Sequence, residues 1–592
     1  MDRVVRIGGA CGFLGDSVLG PRQLASVPGM HYLVFDYLAE MTLSSFALAR
    51  KSDPNAGFAA DFVDVTLREI LATCVQRRIR LVANAGGLNP RSCAQAIESL
   101  AAELGVSPKV ACVEGDDCLF LLPQLSAEGV KDFYTGAAVP DGVDSANAYL
   151  GAPAIAHALA LGADIVVTGR IVDSAAALGI LMHEFGWKVT DLDQLASGSL
   201  AGHLLECGAQ ATGGLFTDWE QVPDWAHIGY PYVEVQPDGS FVLTKPQGTG
   251  GLVTPDTVGE QVLYEVGDPG CYVLPDVVCD FTGLTLTQVG ADRVRVEGAR
   301  GLPAPSAYKL SATLQEGYRC IVQLWIFGED AVRKARRTGE ALLARVREMA
   351  TADGHGDFAR TAIAVLGAED GYGPHARPAP QLRETVLRVA ATHPRTAPLA
   401  LLSREARAAG VSFAPGTTSG AALTLNARAA VEPLHRLFTC LVDKGRLPPP
   451  RVVMDGKAHD VPMVQASSVQ PRSTRMPPGE VAPAPRSDRR VPLIAIAHGR
   501  SGDKGDSSNI AIFARRAEDL PVLRRELTPE RVKAYLGHLV RGDVQRFDVP
   551  GLAALNFLMD GALDGGGPGS LRPDPLGKGM AQMLLGMLVQ PD

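Results

Sequence analysis

Short apolar runs alternate with helical patterns through roughly the first 220 residues of the chain. The helical segments include Leu67–Arg77 and Cys93–Leu104, and the strand-length runs are Val4–Ile7, Tyr32–Phe35, Leu81–Ala83, Val110–Val113 and Ile165–Thr168. This alternation predicts an α/β fold in which helices cover both faces of a parallel wound sheet. Ligands of such sheets bind at the carboxyl ends of the strands, so polar residues at those ends are the first site candidates.

The pattern changes between residues 225 and 327, where strands dominate. Tyr232–Val235 and Phe241–Lys245 flank an Asp-Gly pair, which is a strong hairpin signal. Further strands are predicted at Gln261–Glu265, Tyr272–Asp280, Arg293–Glu297 and Tyr318–Phe327. We therefore expect an antiparallel-rich insertion inside an α/β domain that spans residues 1–465. A long helix over Glu329–Met349 is predicted to follow the insertion.

The stretch 466–490 has the composition of a linker. It contains Pro471, Pro477, Pro478, Pro483 and Pro485 among scattered Arg and Ser residues, without periodicity. A separate C-terminal domain, 491–592, is expected after it. That domain is predicted to begin with the strand Val491–Ala497 and to continue into a polar loop over His498–Asn509.

Charge and composition narrow the range of partners. Lys plus Arg number 56 and Asp plus Glu number 65, a formal net charge of −9, whereas nucleic-acid binding needs a basic face. No apolar run has the length of a membrane span, and the N-terminus lacks the pattern of a signal peptide. The ten cysteines form no CxxC pair. We expect a reduced, cytoplasmic protein that binds neither nucleic acid nor membrane.

The first strand ends are rich in groups that suit an anionic substrate. Gly9 and Gly12 follow the first strand, where their amides either contact an anion or only form a turn. Asp36 follows the second strand and either transfers protons, binds a divalent metal, or is an acid stabilised by a helix dipole. Asn84 and Gly86 follow the third, where they suit a carboxylate or carbonyl, or form a capped turn.

Gly169 and Arg170 end the strand Ile165–Thr168, and Asp173 lies about one helical turn beyond. Arginine is the natural bidentate partner of a carboxylate or phosphate. Arg170 therefore either anchors the substrate or forms a structural ion pair with Asp173.

A second group of candidates combines acids, a thiol and Gly-rich turns. Glu206 is a candidate for proton transfer, and Cys207 is a nucleophile if a base such as His203 lowers its pKa, although buried inert cysteines are commoner. Thr212 and Gly213 lie in the turn that follows. Lys245 precedes a further Gly-rich turn and either binds an anion or is a solvated surface lysine.

The predicted loop His498–Asn509 packs cations, acids and amides into a short stretch. Arg500, Asp503, Lys504 and Asn509 could bind an anion or complete the site of the first domain, and the alternative is a plain charged turn. A divalent metal could bind at Asp36 or, alternatively, at the pair Asp503 and Asp506.

Taken together, these motifs make the chain resemble the acyclic terpene utilization protein family, AtuA, once a domain of unknown function, with its C-terminal ferredoxin-like domain. The motifs include Gly8-Gly9 with Gly15-Asp16, Asp36–Glu40, Asn84–Gly87, Asn147–Gly151, Gly169-Arg170 with Asp173, Glu206–Gly208 with Thr212–Gly214, Tyr308-Lys309, His498–Asn509, Asn556-Phe557 and Gly565–Gly567. The resemblance implies a cytoplasmic protein in the breakdown of branched acyclic terpenoids, which proceeds through CoA thioesters.

Two functions remain open at this point. The first is a lyase, either a hydratase/dehydratase or a carbon–carbon lyase, for a carboxylated acyl or acyl-CoA substrate. The second is a non-catalytic subunit that binds acyl-CoA or assembles with a partner enzyme; oxidoreductase chemistry is weaker, because a proper dinucleotide fingerprint is missing. We also expect a homo-oligomer. The catalytic candidates are Asp36, Glu206, Cys207 and Lys245, and the substrate-binding candidates are Gly9, Gly12, Asn84, Gly86, Asn147, Gly169, Arg170, Asp173, Thr212, Gly213, Arg500, Asp503, Lys504 and Asn509.

Overall fold

A computed structural model describes residues 3–378, 381–418, 429–462, 479–484 and 488–591. Its main sheet has eleven strands, of which five neighbours run parallel. Those five, in spatial order, are Val5–Cys11, Tyr32–Phe35, Arg80–Ala83, Ile165–Thr168 and Val110–Glu114. The predicted parallel core is therefore present, with boundaries that differ from the predicted ones by a few residues.

Helices cover both faces of these parallel strands, because successive side chains point to opposite sides. Tyr32 and Val34 pack into one hydrophobic core, whereas Leu33 and Phe35 pack into a second. The first core also contains side chains of the helices Pro153–Ala160, Ala175–Phe185 and Leu192–Glu206, and the second those of Leu19–Ser26, Arg68–Arg77 and Pro90–Glu103.

Antiparallel strands extend the sheet at both edges. One edge continues through Tyr232–Val235, Phe241–Thr244, Arg293–Glu297 and Thr285–Gly290, and the other through Arg451–Met454 and Lys457–Asp460. Four strands of the segment 225–327 therefore continue the main sheet. The wound parallel sheet that the alternation predicts makes up the middle of a larger mixed sheet.

The strand prediction at Gln261–Glu265 is wrong, since a helix occupies Pro255–Val262. Thr254 caps this helix by accepting a hydrogen bond from the Thr257 amide, and Pro255 occupies the first turn, where its missing N–H costs nothing. These helix-start signals favour a helix more strongly than the short apolar run at 261–265 favours a strand.

A second sheet is built around the long strand Ala307–Phe327, which contains the predicted strand Tyr318–Phe327. Its partners are Glu384–His393, Val431–Asp443, Thr417–Thr418 and Ser145–Ala148, with Arg360–Leu366 at the edge beyond Glu384–His393. The helices Ala331–Ala352 and Thr396–Ser412 pack on it.

The other α-helices in the described ranges are Glu40–Ser52, Leu122–Ala127, Leu520–Glu526, Pro529–Tyr535 and Met580–Leu584. A small third sheet consists of the strands Tyr272–Val273, Val278–Asp280 and Arg300–Leu302.

The C-terminal region contains a four-stranded antiparallel sheet with the order Ala497–Lys504, Ser507–Ala514, Ala554–Met559 and Val544–Val549. The predicted strand Val491–Ala497 is mostly wrong: only Val491–Pro492 is extended there, paired with Leu588–Val589, and a 3-10 turn follows. The predicted polar loop is instead a hairpin that turns at Gly505, whose φ of 64° suits glycine.

Most of the predicted linker, residues 466–478 and 485–487, lies outside the described residues. Within the part of the chain that the structure describes, no helix is both long and apolar enough to cross a membrane.

Candidate active site

Glycines bring the end of the helix Leu192–Glu206 against the first strand. A Cβ on Gly9 would lie 2.4 Å from the Leu205 carbonyl oxygen, and one on Gly12 would lie 2.8 Å from the Cys207 carbonyl carbon. The Gly12 amide donates to Asp16 Oδ2 at 2.9 Å. Close packing of two backbones thus explains both glycines, and it places the residues after this helix beside the carboxyl ends of the parallel strands.

Asp36 lies at one of these strand ends, next to Asn84. The Asn84 amide donates to Asp36 Oδ1, while its own oxygen accepts the Tyr37 backbone N–H at 2.7 Å. Burial, together with the carboxylates of Asp173 and Glu206, raises the pKa of Asp36 well above its ordinary value, against the opposing effect of Arg170. The structure therefore brings together Asp36, Asn84, Asp173 and Glu206 from four separate segments.

Arg170 is held on several sides. Its guanidinium donates to Asp173 Oδ1 at 2.7 Å and to the Leu38 carbonyl at 3.0 Å, and it lies 4.0 Å from the centre of the Tyr149 ring. Only 2% of the residue is exposed. The ion pair with Asp173, one of the two alternatives from the sequence, is present.

Asp116 organises the turn that carries Arg170. Its Oδ2 accepts the Arg170 backbone N–H and the Asn147 side-chain amide, both at 2.8 Å, and a Cβ on Gly169 would lie 2.4 Å from its Oδ1. Burial raises the pKa of Asp116 to about 6. Gly86 has a similar packing role, because a Cβ there would lie 2.5 Å from the Thr168 carbonyl oxygen.

Glu206 shares a buried contact with His203, whose Nδ1 lies 3.1 Å from Glu206 Oε1. The other ring nitrogen lies 3.0 Å from the Gln261 carbonyl, an acceptor, so that nitrogen carries a proton. Burial raises the pKa of Glu206, against the opposing effect of His203. Burial also disfavours the imidazolium, but the Glu206 carboxylate outweighs it and the pKa of His203 is raised. His203 Nδ1 and Glu206 Oε1 therefore share one proton, and the two groups titrate together.

Cys207 lies in an environment opposite to the one that activates a thiol nucleophile. Burial and the carboxylates of Glu206, Glu265 and Asp36 raise its pKa well above the ordinary value. A reactive cysteine needs cations or a helix N-terminus to favour the thiolate. His203, the base that the sequence suggested for it, is instead in contact with Glu206.

The C-terminal hairpin brings Lys504 and Asp503 to this cluster. Lys504 Nζ lies 3.5 Å from Glu265 Oε2, and Lys578 Nζ donates to Glu265 Oε1 and Asp503 Oδ1, both at 3.2 Å. Burial opposes the charge of Lys504, but Tyr272, Glu265, Asp173 and Glu206 together raise its pKa well above the ordinary value. The ammonium of Lys504 thus interacts with acids from three separate segments of the chain.

Asn509 positions Glu265. Its Oδ1 accepts the Glu265 backbone N–H at 3.0 Å and its amide donates to the Leu263 carbonyl at 2.7 Å. Asn556, on the neighbouring strand, donates to the carbonyls of Val266 at 2.9 Å and Gly267 at 2.6 Å. Glu265 itself has a φ of 60°, a conformation that costs energy in a non-glycine residue and recurs at functional sites.

Lys245, Thr212 and Gly213 have their partners outside this cluster. Lys245 donates to the Thr249 carbonyl at 2.8 Å and lies 3.1 Å from Asp292, so it holds a turn at the antiparallel edge of the sheet. The Thr212 hydroxyl donates to the carbonyls of Ala209 and Gly229. Gly213, with a φ of 98°, allows the turn that follows. Each has a structural role that local sequence patterns could not separate from anion binding.

Asp503 and Asp506, predicted as a metal-ligand pair, each have other partners. Asp506 Oδ1 accepts the amides of Leu563 and Gly565, at 3.2 and 2.8 Å, and so shapes a turn, while Asp503 contacts Lys578. Across the described ranges, no three His, Cys, Asp or Glu side chains are arranged to hold a metal ion.

Sequence reasoning missed Glu265 and Lys578. Glu265 fell at the end of a run interpreted as a strand, which hid it. Lys578 is flanked by Gly577 and Gly579 in a polar stretch, and such a Gly-Lys-Gly triplet is a weak signal that could have suggested it.

These features define an α/β protein with a cluster of buried charged groups where its main domain meets a ferredoxin-like domain, in which acids with raised pKa values lie near a lysine. The model of the acyclic terpene utilisation family protein AtuA matches residues 5–453, and that of the AtuA ferredoxin-like domain matches residues 491–590. The chain belongs to the AtuA family, which confirms the resemblance. Searches of curated proteins and of solved structures return no significant match.

Proposed function

We propose that this protein is a lyase, either a hydratase/dehydratase or a carbon–carbon lyase, that acts on a carboxylated branched acyl or acyl-CoA substrate. One observation carries the proposal: Asp36 and Glu206 are neighbouring buried carboxyl groups with raised pKa values, and Glu206 also interacts with the Lys504 ammonium. Perturbed acids beside a cation are typical of sites that transfer protons.

The two acids suit different roles because their surroundings differ. Asp36 faces two further carboxylates and is the better proton donor, while Glu206 contacts His203 and is the better base. In a dehydration, Glu206 would take the proton from the carbon next to the acyl carbonyl. Asp36 would protonate the leaving hydroxyl, and water and an enoyl product would form. Lys504 would stabilise the charge that develops on the acyl oxygen.

The family name supports the substrate class, since it places relatives of this chain in acyclic terpene utilisation. A cytoplasmic location is part of the proposal, and ten free cysteines support it. We also retain the expectation of a homo-oligomer.

The test is turnover of branched 3-hydroxyacyl and enoyl thioesters by the full chain, followed by mass spectrometry for gain or loss of water or release of a carbon fragment. Asp36→Asn and Glu206→Gln should each lower turnover by at least about a hundredfold. Glu103→Gln, at an exposed ion pair with Arg68, is the matched control and should leave it unchanged. Tight binding of these thioesters without any mass change would overturn the lyase and support the non-catalytic alternative.

A further inference from the structure

Beside the charged cluster lies an apolar cavity of about 540 Å³, a size typical of small-molecule sites. Its outer wall is made by Leu215, Trp219 and Trp225, which leave 62%, 56% and 58% of their surfaces exposed. The two tryptophan rings meet edge to face with 5.9 Å between their centres. Large apolar side chains exposed together around a cavity mark a binding surface.

Both parts of the chain build this cavity, and they are fastened together beside it. The Thr217 hydroxyl both donates to the Gly499 carbonyl, at 2.8 Å, and accepts the Gly499 amide, at 3.0 Å. Arg515 donates twice to the Asp218 carboxylate, at 2.6 Å each. The wall is therefore fixed in place before any ligand binds.

The lining of the cavity also includes a buried cation, Arg500, of which 5% is exposed. Its guanidinium donates to Gln210 Oε1 and to the Gly214 carbonyl and lies 4.5 Å from the centre of the Tyr264 ring. All three partners are uncharged. Among the residues whose placement the structure describes, none offers Arg500 a carboxylate at salt-bridge distance, although buried charges are normally paired.

Lys578 connects this cavity to the charged cluster. It belongs to the cavity lining, lies 4.4 Å from the centre of the same Tyr264 ring, and contacts Glu265 and Asp503 of the cluster. A ligand whose charged end reaches Arg500 is thus adjacent to the charged cluster.

We propose that this cavity binds an amphipathic carboxylate, with the acid on Arg500 and an acyclic hydrocarbon chain against Trp219, Trp225 and Leu215. The inference rests on the proposed function in taking this ligand as the substrate, and it defines the substrate as a chain with an anionic end. The guanidinium supplies the charge that the carboxylate needs on desolvation, and the indole rings cover apolar surface that is otherwise exposed to water.

The probes are citronellate, a branched ten-carbon acid, and citronellol, the neutral alcohol with the same skeleton. We would titrate each into the full chain by calorimetry and by tryptophan fluorescence. Citronellate should bind at least about tenfold more tightly than citronellol, because a hydrogen bond to a charged group contributes that much. Equal affinity for acid and alcohol, or no binding of either at millimolar concentration, would overturn the proposal.

Two variants separate the parts of the site. Arg500→Met should lower citronellate affinity to the citronellol level, whereas Arg347→Met, a surface arginine paired with Asp357, should change neither. Trp219 is exposed, so Trp219→Ala should still fold. This variant should weaken the binding of citronellate and of citronellol by similar factors. An acid preference that survives in Arg500→Met, or affinities unchanged in Trp219→Ala, would contradict the proposal.

Failure of this inference can be told from failure of the lyase. Asp36→Asn should keep citronellate binding whether or not it loses turnover. If the wild type binds citronellate but turns over no thioester, only the lyase proposal is wrong. If turnover is the same in the wild type, Arg500→Met and Trp219→Ala, only the assignment of the cavity as the substrate site is wrong.

Discussion

Arg170 and Arg500 have similar positions in two different parts of the molecule. Each directly follows a glycine, each is almost fully buried, and each lies over the ring of a tyrosine, at 4.0 and 4.5 Å. The two differ in what they donate to. Arg170 has the Asp173 carboxylate at 2.7 Å, while Arg500, as far as the structure describes the chain, donates only to neutral oxygen atoms.

We infer from this difference that Arg170 serves the structure, whereas Arg500 is available to a ligand. The pair Arg170–Asp173 is compensated within the protein, so a substrate would have to displace Asp173 to reach it. Arg500 is desolvated without such compensation, a state that an incoming anion would relieve. A Gly-Arg motif at a strand therefore indicates a buried cation, and only its neighbours show whether that cation is available.

The largest expected effect concerns stability. Arg170→Met would leave Asp173 and the Leu38 carbonyl without their partner and should lower the free energy of unfolding by about 3 kcal/mol or more. Arg500→Met breaks no ion pair and should cost no more than about 1–2 kcal/mol. Urea unfolding of both variants measures this; losses of equal size would break the comparison.

A slightly smaller effect should appear as a pH dependence around Arg170. Asp116, which accepts the Arg170 backbone N–H, has a pKa of about 6 instead of the ordinary 3.8. The folded state binds this proton more tightly, so its contribution is complete below about pH 4 and is lost as the pH rises through about 6. The two pKa units correspond to about 3 kcal/mol.

Asp116→Asn cannot ionise and should remove this slope. Between pH 4 and pH 7, the unfolding free energy of the wild type should therefore fall relative to that of Asp116→Asn. A difference that stays constant over this range would show that Asp116 does not titrate there.

Stabilisation of the folded protein by citronellate provides a further comparison, between the wild type and Arg500→Met. At a citronellate concentration about a hundredfold above Kd, the wild type should gain about 2.7 kcal/mol and melt several degrees higher. Arg500→Met should show almost none of this gain. A thermal-shift series provides the measurement, with citronellol as the uncharged control; a full shift in Arg500→Met would contradict the assignment.

The smallest effect is expected at Leu215, in the cavity wall. Its φ of 62° is unfavourable for leucine, and the side chain is largely exposed. In Leu215→Gly, relief of backbone strain and the greater freedom of the unfolded chain nearly cancel, so stability should change by less than about 1 kcal/mol. Binding of citronellate should nevertheless weaken, which calorimetry would detect; unchanged binding would place the chain elsewhere in the cavity.

Periodicity was sufficient to locate the parallel core. The strand Tyr32–Phe35 is found where it was predicted, and Asp36 and Asn84, predicted from their places at strand ends, contact each other. These inferences succeed because apolar alternation and strand ends are local properties. The helix Pro255–Val262 was misassigned because a short apolar run fits both helix and strand.

The C-terminal part of the site could not be anticipated in detail. Its polar stretch reads as a loop, yet it forms a hairpin whose polar residues contact another part of the chain: Asn509 bonds to the backbone of Leu263 and Glu265. A strand with polar residues on a buried face cannot be predicted from the hydrophobic pattern, because the partners of those residues are remote in sequence.

By itself the sequence determined the elements of the parallel core, the family and the chemical types of the candidate groups, since these depend on neighbours along the chain. Only the tertiary structure decided that Arg170 pairs with a carboxylate whereas Arg500 has none within the described ranges, that His203 contacts Glu206, and that Lys504 interacts with Asp173, Glu206 and Glu265. The reason is physical: desolvation and Coulomb interactions depend on distance in space, and folding alone sets the distances between remote segments.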